Sequence, residues 1–143
     1  MKQVFLFVIV FLCSIVKSQY LNFDATGDIP DFDAIDMNGV THQLHEDYLD
    51  NNQIVILEFL NVSCGACQLY APQISTFYDS YGPDGSGQVT LLGLEIASST
   101  SNAAVLSSEI YQNASYPIIN NNPTSYYYTE SYSTPTFYIL FPD

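Results

Sequence analysis

The feature that most restricts the fold of this chain is an apolar strand followed by two closely spaced cysteines and an amphipathic helix. Residues 54–60 form a continuous apolar run, rich in β-branched side chains and interrupted only by Glu58. Such a run is typical of a central strand that is buried on both faces. Cys64 and Cys67 follow, and apolar residues then recur at helical spacing over 66–81. A buried strand that leads into a helix in this way predicts an α/β architecture.

The rest of the chain continues the alternation of strands and helices. Residues on both sides of the turn at 36–39 alternate between apolar and polar side chains, which predicts a hairpin over 31–44. Residues 120–133 are polar and tyrosine-rich and show no clear period. The other predicted elements are a short helix at 45–52, a strand at 89–96, a helix at 102–113, a short strand at 116–119 and a last strand at 136–141.

The N-terminal segment predicts export from the cytoplasm. Residues 1–18 contain a positively charged start, an apolar run and a small residue at the end, which is the arrangement of a secretory signal peptide. The apolar run is shorter than the roughly 20 residues that a membrane span needs. We therefore expect a signal peptide at 1–18 and one domain at 19–143, located in the periplasm or outside the cell. A lipid anchor on Cys13 is an alternative that the sequence leaves open.

The acidic composition argues against two classes of partner. The chain has fifteen Asp and Glu residues and two basic residues, Lys2 and Lys17, both within the predicted signal peptide. Fixed cations are what neutralise nucleic-acid phosphates and hold proteins to anionic lipid. We therefore expect no nucleic acid and no membrane surface as a partner, and no site that requires an arginine.

Cys64 and Cys67 are the two cysteines that the predicted domain retains. A disulfide between them would close a very short loop, which removes little entropy from the unfolded chain, so the spacing favours redox chemistry over a structural crosslink. Cys64 lies at the predicted helix N-terminus, where backbone N–H groups and the helix dipole stabilise a thiolate. Cys64 is therefore the candidate nucleophile, and Cys67 the thiol that resolves the mixed disulfide. Gly65 and Ala66 keep the intervening turn small and accessible.

The motif Cys64-Gly65-Ala66-Cys67 after an apolar strand resembles the thioredoxin superfamily, and within it the exported TlpA/ResA-type redoxins related to the AhpC/TSA group. The opening residues 27–32 and the turn at 36–39 are similar to those of the redoxins. Pro72 stands where the family kinks its active-site helix. Thr134-Pro135-Thr136 resembles the cis-proline loop that faces the cysteines in the family.

The resemblance implies a thioredoxin-like three-layer sandwich with a central mixed sheet and an N-terminal hairpin. It implies an enzyme that exchanges thiols and disulfides, with protein disulfides as substrates and a dithiol protein as electron donor, and it implies no metal or organic cofactor. Glu58 stands where the family has a buried acid, which would transfer the proton of Cys67. Pro135 would shape the contact with substrate, together with Thr134, Gly65 and Ala66. The family continues with one more strand and helix, so we expect the sequence to be C-terminally incomplete.

Two of these positions have a physical interpretation of their own. Glu58 lies on an apolar strand and must lose its water, which raises the pKa of a carboxyl. The resemblance implies that Pro135, between Thr134 and Thr136, is in the cis form, which would present a strand edge to the substrate chain; an ordinary trans proline that opens a strand is the alternative. Ser63 departs from the family, which has a Trp before the first cysteine. With no cation near Cys64, the thiolate is stabilised only by the helix terminus, which favours a reducing couple and hence a reductase.

The sequence offers three alternatives to this interpretation. His42 and His45 with the two cysteines would supply four zinc-type ligands, although histidines of this kind are more often surface or edge residues. A peroxiredoxin is disfavoured because its motif would need Pro at 57 and Thr at 61, where this chain has Leu57 and Asn61. A non-catalytic binding or adhesion module remains open, since the tyrosines at 126–128 and Tyr132 are suited to a protein-binding surface.

Overall fold

The computed structural model describes residues 31–120 and 133–142. The predicted signal peptide, the first residues of the opening motif and the tyrosines of the proposed binding surface lie outside the described residues.

A hairpin opens the described part of the chain, as the alternation of apolar residues predicts. Its antiparallel strands are β1 (Asp33–Ile35) and β2 (Thr41–Gln43). The Asp36 carboxylate shapes the turn by accepting a hydrogen bond from the N–H of Asn38 at 2.8 Å. Gly39 follows with a φ of 83°, a conformation that glycine adopts without steric cost.

Within the described residues, four strands form the central sheet, in the order β5-β4-β3-β6. They are β3 (Ile54–Leu60), β4 (Val89–Glu95), β5 (Ile118–Ile119) and β6 (Thr136–Leu140). β4 runs parallel to β3 and to β5, whereas β6 runs antiparallel to β3. The mixed sheet and the α/β class are therefore as predicted. The predicted strand at 116–119 is shorter in the structure, where only its last two residues pair.

One long helix and two short ones follow the strands of the sheet. α1 (Gly65–Tyr81) has 17 residues and contains Pro72. The single helix predicted over 102–113 is wrong, because the structure has α2 (Asn102–Leu106) and α3 (Glu109–Asn113) instead. Ser108 causes the break: its hydroxyl donates to the carbonyl of Val105 at 2.7 Å and also caps α3, so it competes with the helical hydrogen bonds.

The region predicted as a helix at 45–52 is irregular. The chain forms one wide helical turn at Leu44–Tyr48 and a tighter one at Leu49–Asn51. Asn52 then takes a left-handed conformation with a φ of 59° and ends the segment. Asn tolerates this conformation better than most residues, so the helical segment stops there and β3 begins two residues later.

α1 packs against one face of the sheet and buries the second cysteine. Its buried residues are Cys67, Ala71 and Ser75, which lie four residues apart and therefore on one side of the helix. Cys67 and Ala71 join a buried cluster that includes residues of β3, β4, β5, α2 and α3, namely Leu60, Leu91, Val105, Ile110 and Ile118. In the part of the chain that the structure describes, no helix combines the length and apolar character needed to cross a bilayer.

The packing predicts that Gly93 of β4 cannot carry a side chain without cost. A Cβ at this position would lie 2.6 Å from Cδ1 of Ile118 and 3.0 Å from Cδ2 of Leu60. We expect Gly93→Ala to lower the free energy of unfolding by about 1–3 kcal/mol, the usual penalty for overpacking a core. Urea denaturation measures this change. Gly65→Ala is the control, because a Cβ at Gly65 meets no atom within 4 Å; equal stability of the two variants would contradict the packing.

Candidate active site

Cys64 caps the N-terminus of α1 with its own sulfur. The Sγ atom accepts a hydrogen bond from the backbone N–H of Cys67 at 3.2 Å. Both cysteines are free thiols; Cys64 is half-buried and Cys67 is buried. The accessible sulfur is therefore the one at the helix terminus, where the sequence predicts Cys64, and the sulfur of Cys67 is buried.

The residues between β3 and α1 form a turn that presents Cys64. The Asn61 carbonyl accepts from the N–H of Cys64 at 2.9 Å, and its side-chain oxygen accepts from the N–H of Ser63 at 2.8 Å. The N–H of Val62 donates to the buried carboxylate of Glu95 at 2.7 Å. These bonds satisfy the backbone of the turn and fix the direction from which the chain enters α1.

The two thiols differ in how readily they ionise. Burial opposes ionisation of Cys64, but hydrogen bonds donated by Cys67, by Thr134 and by the backbone N–H of Ala66 outweigh it and lower the pKa of the Cys64 thiol. Burial, followed by the hydrogen bond to Cys64, raises the pKa of the Cys67 thiol. At neutral pH, Cys64 therefore has the greater nucleophilic character of the two.

The loop before β6 lies beside Cys64. The Thr134–Pro135 peptide bond is cis, as predicted, and the Cys64 thiol donates to the carbonyl oxygen of Thr134 at 3.3 Å. Gly65 and Ala66 are exposed next to Cys64, while Thr134 and Pro135 are half-buried. The structure thus brings together all of the predicted contact residues at the end of β3, although the two segments are 70 positions apart.

Glu58 lies behind this surface, fully buried within β3. Among the described residues, neither of its carboxyl oxygens has a hydrogen-bond partner. Burial raises the pKa of Glu58 to about 7, and the nearby Tyr116 hydroxyl lowers it in part. Tyr116 does not form a well-aligned hydrogen bond with it, since its hydroxyl is also without a partner in this part of the chain. The carboxyl can therefore gain or lose a proton near neutral pH.

Glu95 is a second buried acid that the sequence analysis did not single out. It lies at the end of β4, opposite Leu60 of β3. Its carboxylate accepts from the N–H of Val62 and, at 2.8 Å, from the N–H of Ala97. These bonds give each carboxyl oxygen of Glu95 a partner and link the backbone after β3 to the backbone after β4. The sequence signal for Glu95 is limited to an acidic residue at the end of an apolar strand.

The two histidines do not join the cysteines in a metal site. His42 is buried, with Nε2 3.3 Å from Oδ2 of Asp36 and Nδ1 hydrogen-bonded to the Tyr48 hydroxyl. The expectation of a surface histidine is therefore wrong for His42, whose ring lies against a carboxylate and a phenol inside the fold. His45 lies 3.9 Å from Asp50. The described residues contain no group of three or more metal-ligating side chains.

The hydrogen bond from the side chain of Cys67 to Cys64 predicts how substitutions at position 67 alter the pKa of the Cys64 thiol. Cys67→Ser keeps a donor next to Cys64, whereas Cys67→Ala removes it. We expect the pKa of Cys64 to be higher in Cys67→Ala than in Cys67→Ser, because the thiolate loses one of its donors. The rate of alkylation by iodoacetamide as a function of pH measures this pKa in each variant. Identical pH midpoints of alkylation in the two variants would show that the side chain of Cys67 does not stabilise the Cys64 thiolate.

The buried carboxyl predicts a pH dependence of stability. Glu58 has an ordinary pKa of 4.5 and a folded value of about 7, so the folded protein holds this proton more tightly than the unfolded chain. The contribution of Glu58 to stability is then fully present below pH 4.5 and is lost as the pH rises through about 7, by on the order of 3 kcal/mol at about 1.4 kcal/mol per pKa unit.

Glu58→Gln removes this titration while nearly preserving volume. The difference in unfolding free energy between Glu58→Gln and the wild type, measured with urea at pH 4 to 8, should grow as the pH rises. Other titrating groups are common to both proteins and cancel in the difference. A difference that stays constant with pH would mean that Glu58 titrates normally.

The comparisons with known proteins concern the fold. No family model matches the chain, and no curated protein sequence does. Among solved structures, a candidate protein disulfide isomerase from Bacteroides thetaiotaomicron is 16% identical, with a TM-score of 0.63 over 78% of this chain and 68% of that one. A secreted Mycobacterium tuberculosis disulfide oxidoreductase, homologous to DsbE of E. coli, is 17% identical, with a TM-score of 0.59 over 77% and 75%.

The third structure is the thioredoxin domain of a thiol-disulfide oxidoreductase from Bacteroides vulgatus. It is 15% identical to this chain, with a TM-score of 0.58 over 79% of this chain and 78% of that one. Identities this low show a shared architecture. Together with the mixed sheet, the cysteines at the start of α1 and the cis-proline loop beside them, they show that the chain has a thioredoxin-like fold.

Proposed function

We propose that the protein is an exported thiol–disulfide oxidoreductase that reduces protein disulfides with Cys64 and Cys67. The observation that carries the proposal is the position of Cys64: its sulfur caps α1, accepts the N–H of Cys67 at 3.2 Å and lies 3.3 Å from the Thr134 carbonyl. An accessible thiol with a lowered pKa above a buried thiol is the arrangement that two-step disulfide exchange requires.

The first step is the attack of Cys64 on a substrate disulfide. The Cys64 thiolate forms a bond to one substrate sulfur, and the substrate S–S bond breaks. The other substrate sulfur leaves with the electron pair and takes a proton from water. The product is a mixed disulfide between Cys64 and the substrate. Donors at the start of α1 favour the attacking thiolate.

The second step releases the substrate. Cys67 gives its proton to the Glu58 carboxylate, and its thiolate attacks the sulfur of Cys64. The mixed disulfide breaks, the second substrate sulfur leaves with the electron pair and is protonated, and a Cys64–Cys67 disulfide remains. Two electrons have then passed to the substrate. A carboxyl with a pKa of about 7 is suited to accept and return a proton near neutral pH. An external dithiol reduces the enzyme again.

The surface around Cys64 is suited to an extended peptide. Gly65 and Ala66 are exposed, so they leave access to the sulfur. The half-buried residues Thr134 and Pro135 lie on the other side of Cys64 and lead directly into β6. We assign these four residues to substrate contact, with the backbone next to Pro135 aligning the substrate chain as an added strand.

The charge around the site supports reduction as the direction of the reaction. The described residues include no Lys or Arg, and His42 is held by Asp36 and Tyr48. Only hydrogen-bond donors stabilise the Cys64 thiolate, so the reduced form gains less stability than it would beside a cation. A less stabilised reduced form corresponds to a more reducing couple.

Export is part of the same proposal. The segment 1–18 has the composition of a signal peptide, and one of the structures that share the fold is a secreted disulfide oxidoreductase. Outside the cytoplasm, protein disulfides form and persist, so a substrate for this chemistry is available there.

Reduction of insulin disulfides tests the function. With dithiothreitol as electron donor, we expect the purified protein to accelerate the precipitation of insulin B chains. Cys64→Ser should reduce the rate to that of dithiothreitol alone, because no nucleophile remains at the helix terminus. Cys67→Ser, reduced and then freed of dithiothreitol before insulin is added, should instead accumulate a mixed disulfide, visible by mass as protein joined to insulin, because the resolving step is lost.

Circular dichroism of each variant serves as the control for folding. A folded wild type that does not accelerate the reaction would contradict the enzymatic proposal and favour a binding module. Acceleration that persists in Cys64→Ser would show that another group, or a contaminant, is responsible.

A further inference from the structure

Tyr116 and Glu58 are two buried polar side chains that lack well-formed hydrogen bonds. Tyr116 is 4% exposed and Glu58 is fully buried. Within the described ranges, the Tyr116 hydroxyl and both Glu58 oxygens have no partner at bonding geometry. Burying a polar group without a hydrogen-bond partner costs free energy of folding. Two such groups in one buried region therefore suggest a functional role.

Gly93 makes the space that brings Tyr116 towards Glu58. Gly93 is the register neighbour of Glu58 across β3 and β4, and such neighbours point to the same face of a sheet. A Cβ at Gly93 would lie 3.1 Å from Cε2 of Tyr116. The Tyr116 ring thus shares, with the side chains of Ile118 and Leu60, the space beside Gly93 on the face to which Glu58 points.

The Tyr116 ring also lies close to the buried cysteine. Tyr116 and Cys67 belong to the same buried cluster, and the ring of Tyr78 from α1 packs edge-on against Tyr116 at 6.2 Å between centroids. Tyr116 interacts electrostatically with both Glu58 and Cys67. It therefore lies near both the acid of β3 and the resolving thiol of α1.

We propose that Tyr116 is a positioning residue whose hydroxyl donates a hydrogen bond to the ionised Glu58 carboxylate and so sets the pH at which Glu58 accepts the proton of Cys67. The inference rests on the proposed role of Glu58 in resolution. The transferred proton moves from the sulfur of Cys67 to the Glu58 carboxylate, and Tyr116 keeps its own. Burial, with the charge of Glu58 next, raises the pKa of Tyr116, so its hydroxyl remains a donor at all working pH values.

The other titratable groups around Glu58 leave Tyr116 as the available donor. On α1 these groups are Cys64, Cys67 and Tyr78. Tyr78 packs against the Tyr116 ring, and its pKa is raised by burial and by Asp84, not by Glu58. On β4, the two carboxyl oxygens of Glu95 accept from the backbone N–H groups of Val62 and Ala97. On β6, the register neighbour of Glu58 is Phe137, which does not titrate.

Tyr116→Phe tests the proposal because it removes the hydroxyl and keeps the ring. Carbon-13 NMR of the glutamate carboxyl groups measures the pKa of Glu58 in the reduced full-length protein, and Glu58→Gln identifies its resonance. We expect Tyr116→Phe to raise this pKa by about one unit, the size expected for one lost hydrogen bond to a charged group. Tyr78→Phe is the matched control, since it removes a hydroxyl from the same cluster and should leave the pKa unchanged.

The pH profile of insulin reduction is the second readout. Its acidic limb should move to higher pH by the same amount in Tyr116→Phe, with the rate at high pH retained, because only the ionised fraction of Glu58 has changed. A loss of packing would instead lower the rate at every pH. An unchanged Glu58 pKa, or a raised pKa without a shift in the profile, would overturn the proposal.

A measurement on the wild type keeps the test independent of the variant's folding. The Cζ resonance of Tyr116 should change with pH at the same midpoint as the Glu58 carboxyl, and a resonance that does not respond would also overturn the proposal. The NMR measurements do not depend on catalysis. Absence of insulin reduction by the wild type would therefore contradict the proposed function and, with it, the catalytic part of this inference, while the titrations would still decide whether Tyr116 acts on Glu58.

Discussion

Hydrogen bonding of β3 to a strand on each side sets the positions of the groups at the candidate site. β4 pairs with all seven residues of β3, and β6 pairs with it in the opposite direction, so that Thr136 lies opposite Phe59. Because β6 starts at this end of the sheet, the loop containing Pro135 comes next to Cys64. Glu58 lies on this central strand and is fully buried, and its loss of water is the reason that its pKa is raised.

Two buried acids on neighbouring strands show how one fold uses a carboxyl in two ways. Glu95 receives backbone hydrogen bonds from Val62 and Ala97, so its burial stabilises the loops around the site. Glu58 receives no such bonds within the described residues, and its carboxyl shifts its pKa instead. A satisfied acid is suited to structure, whereas an unsatisfied acid with a pKa near 7 is suited to proton transfer.

Periodicity predicted most of the elements, and the cysteine spacing together with the resemblance to the thioredoxin superfamily supplied the residues proposed for the site. The hairpin turn at 36–39, the buried β3 and the helix that starts at the cysteines all follow from local pattern. The break at Ser108 was missed because its hydroxyl bonds to Val105, a local competition that apolar spacing does not reveal. Tyr116 was missed because its relevance depends on the space left by Gly93, two elements away along the chain.

The sequence by itself determined that an apolar strand leads into a helix capped by Cys64, that Cys67 lies one turn further on, and that an acid lies within the strand. These are local properties, since they depend on side-chain period and on backbone donors within a few residues. Only the tertiary structure decided that the Thr134 carbonyl lies 3.3 Å from Cys64 and that Tyr116 faces Glu58. Those contacts join segments that are distant in the chain, and they depend on strand order and register, which no local pattern specifies.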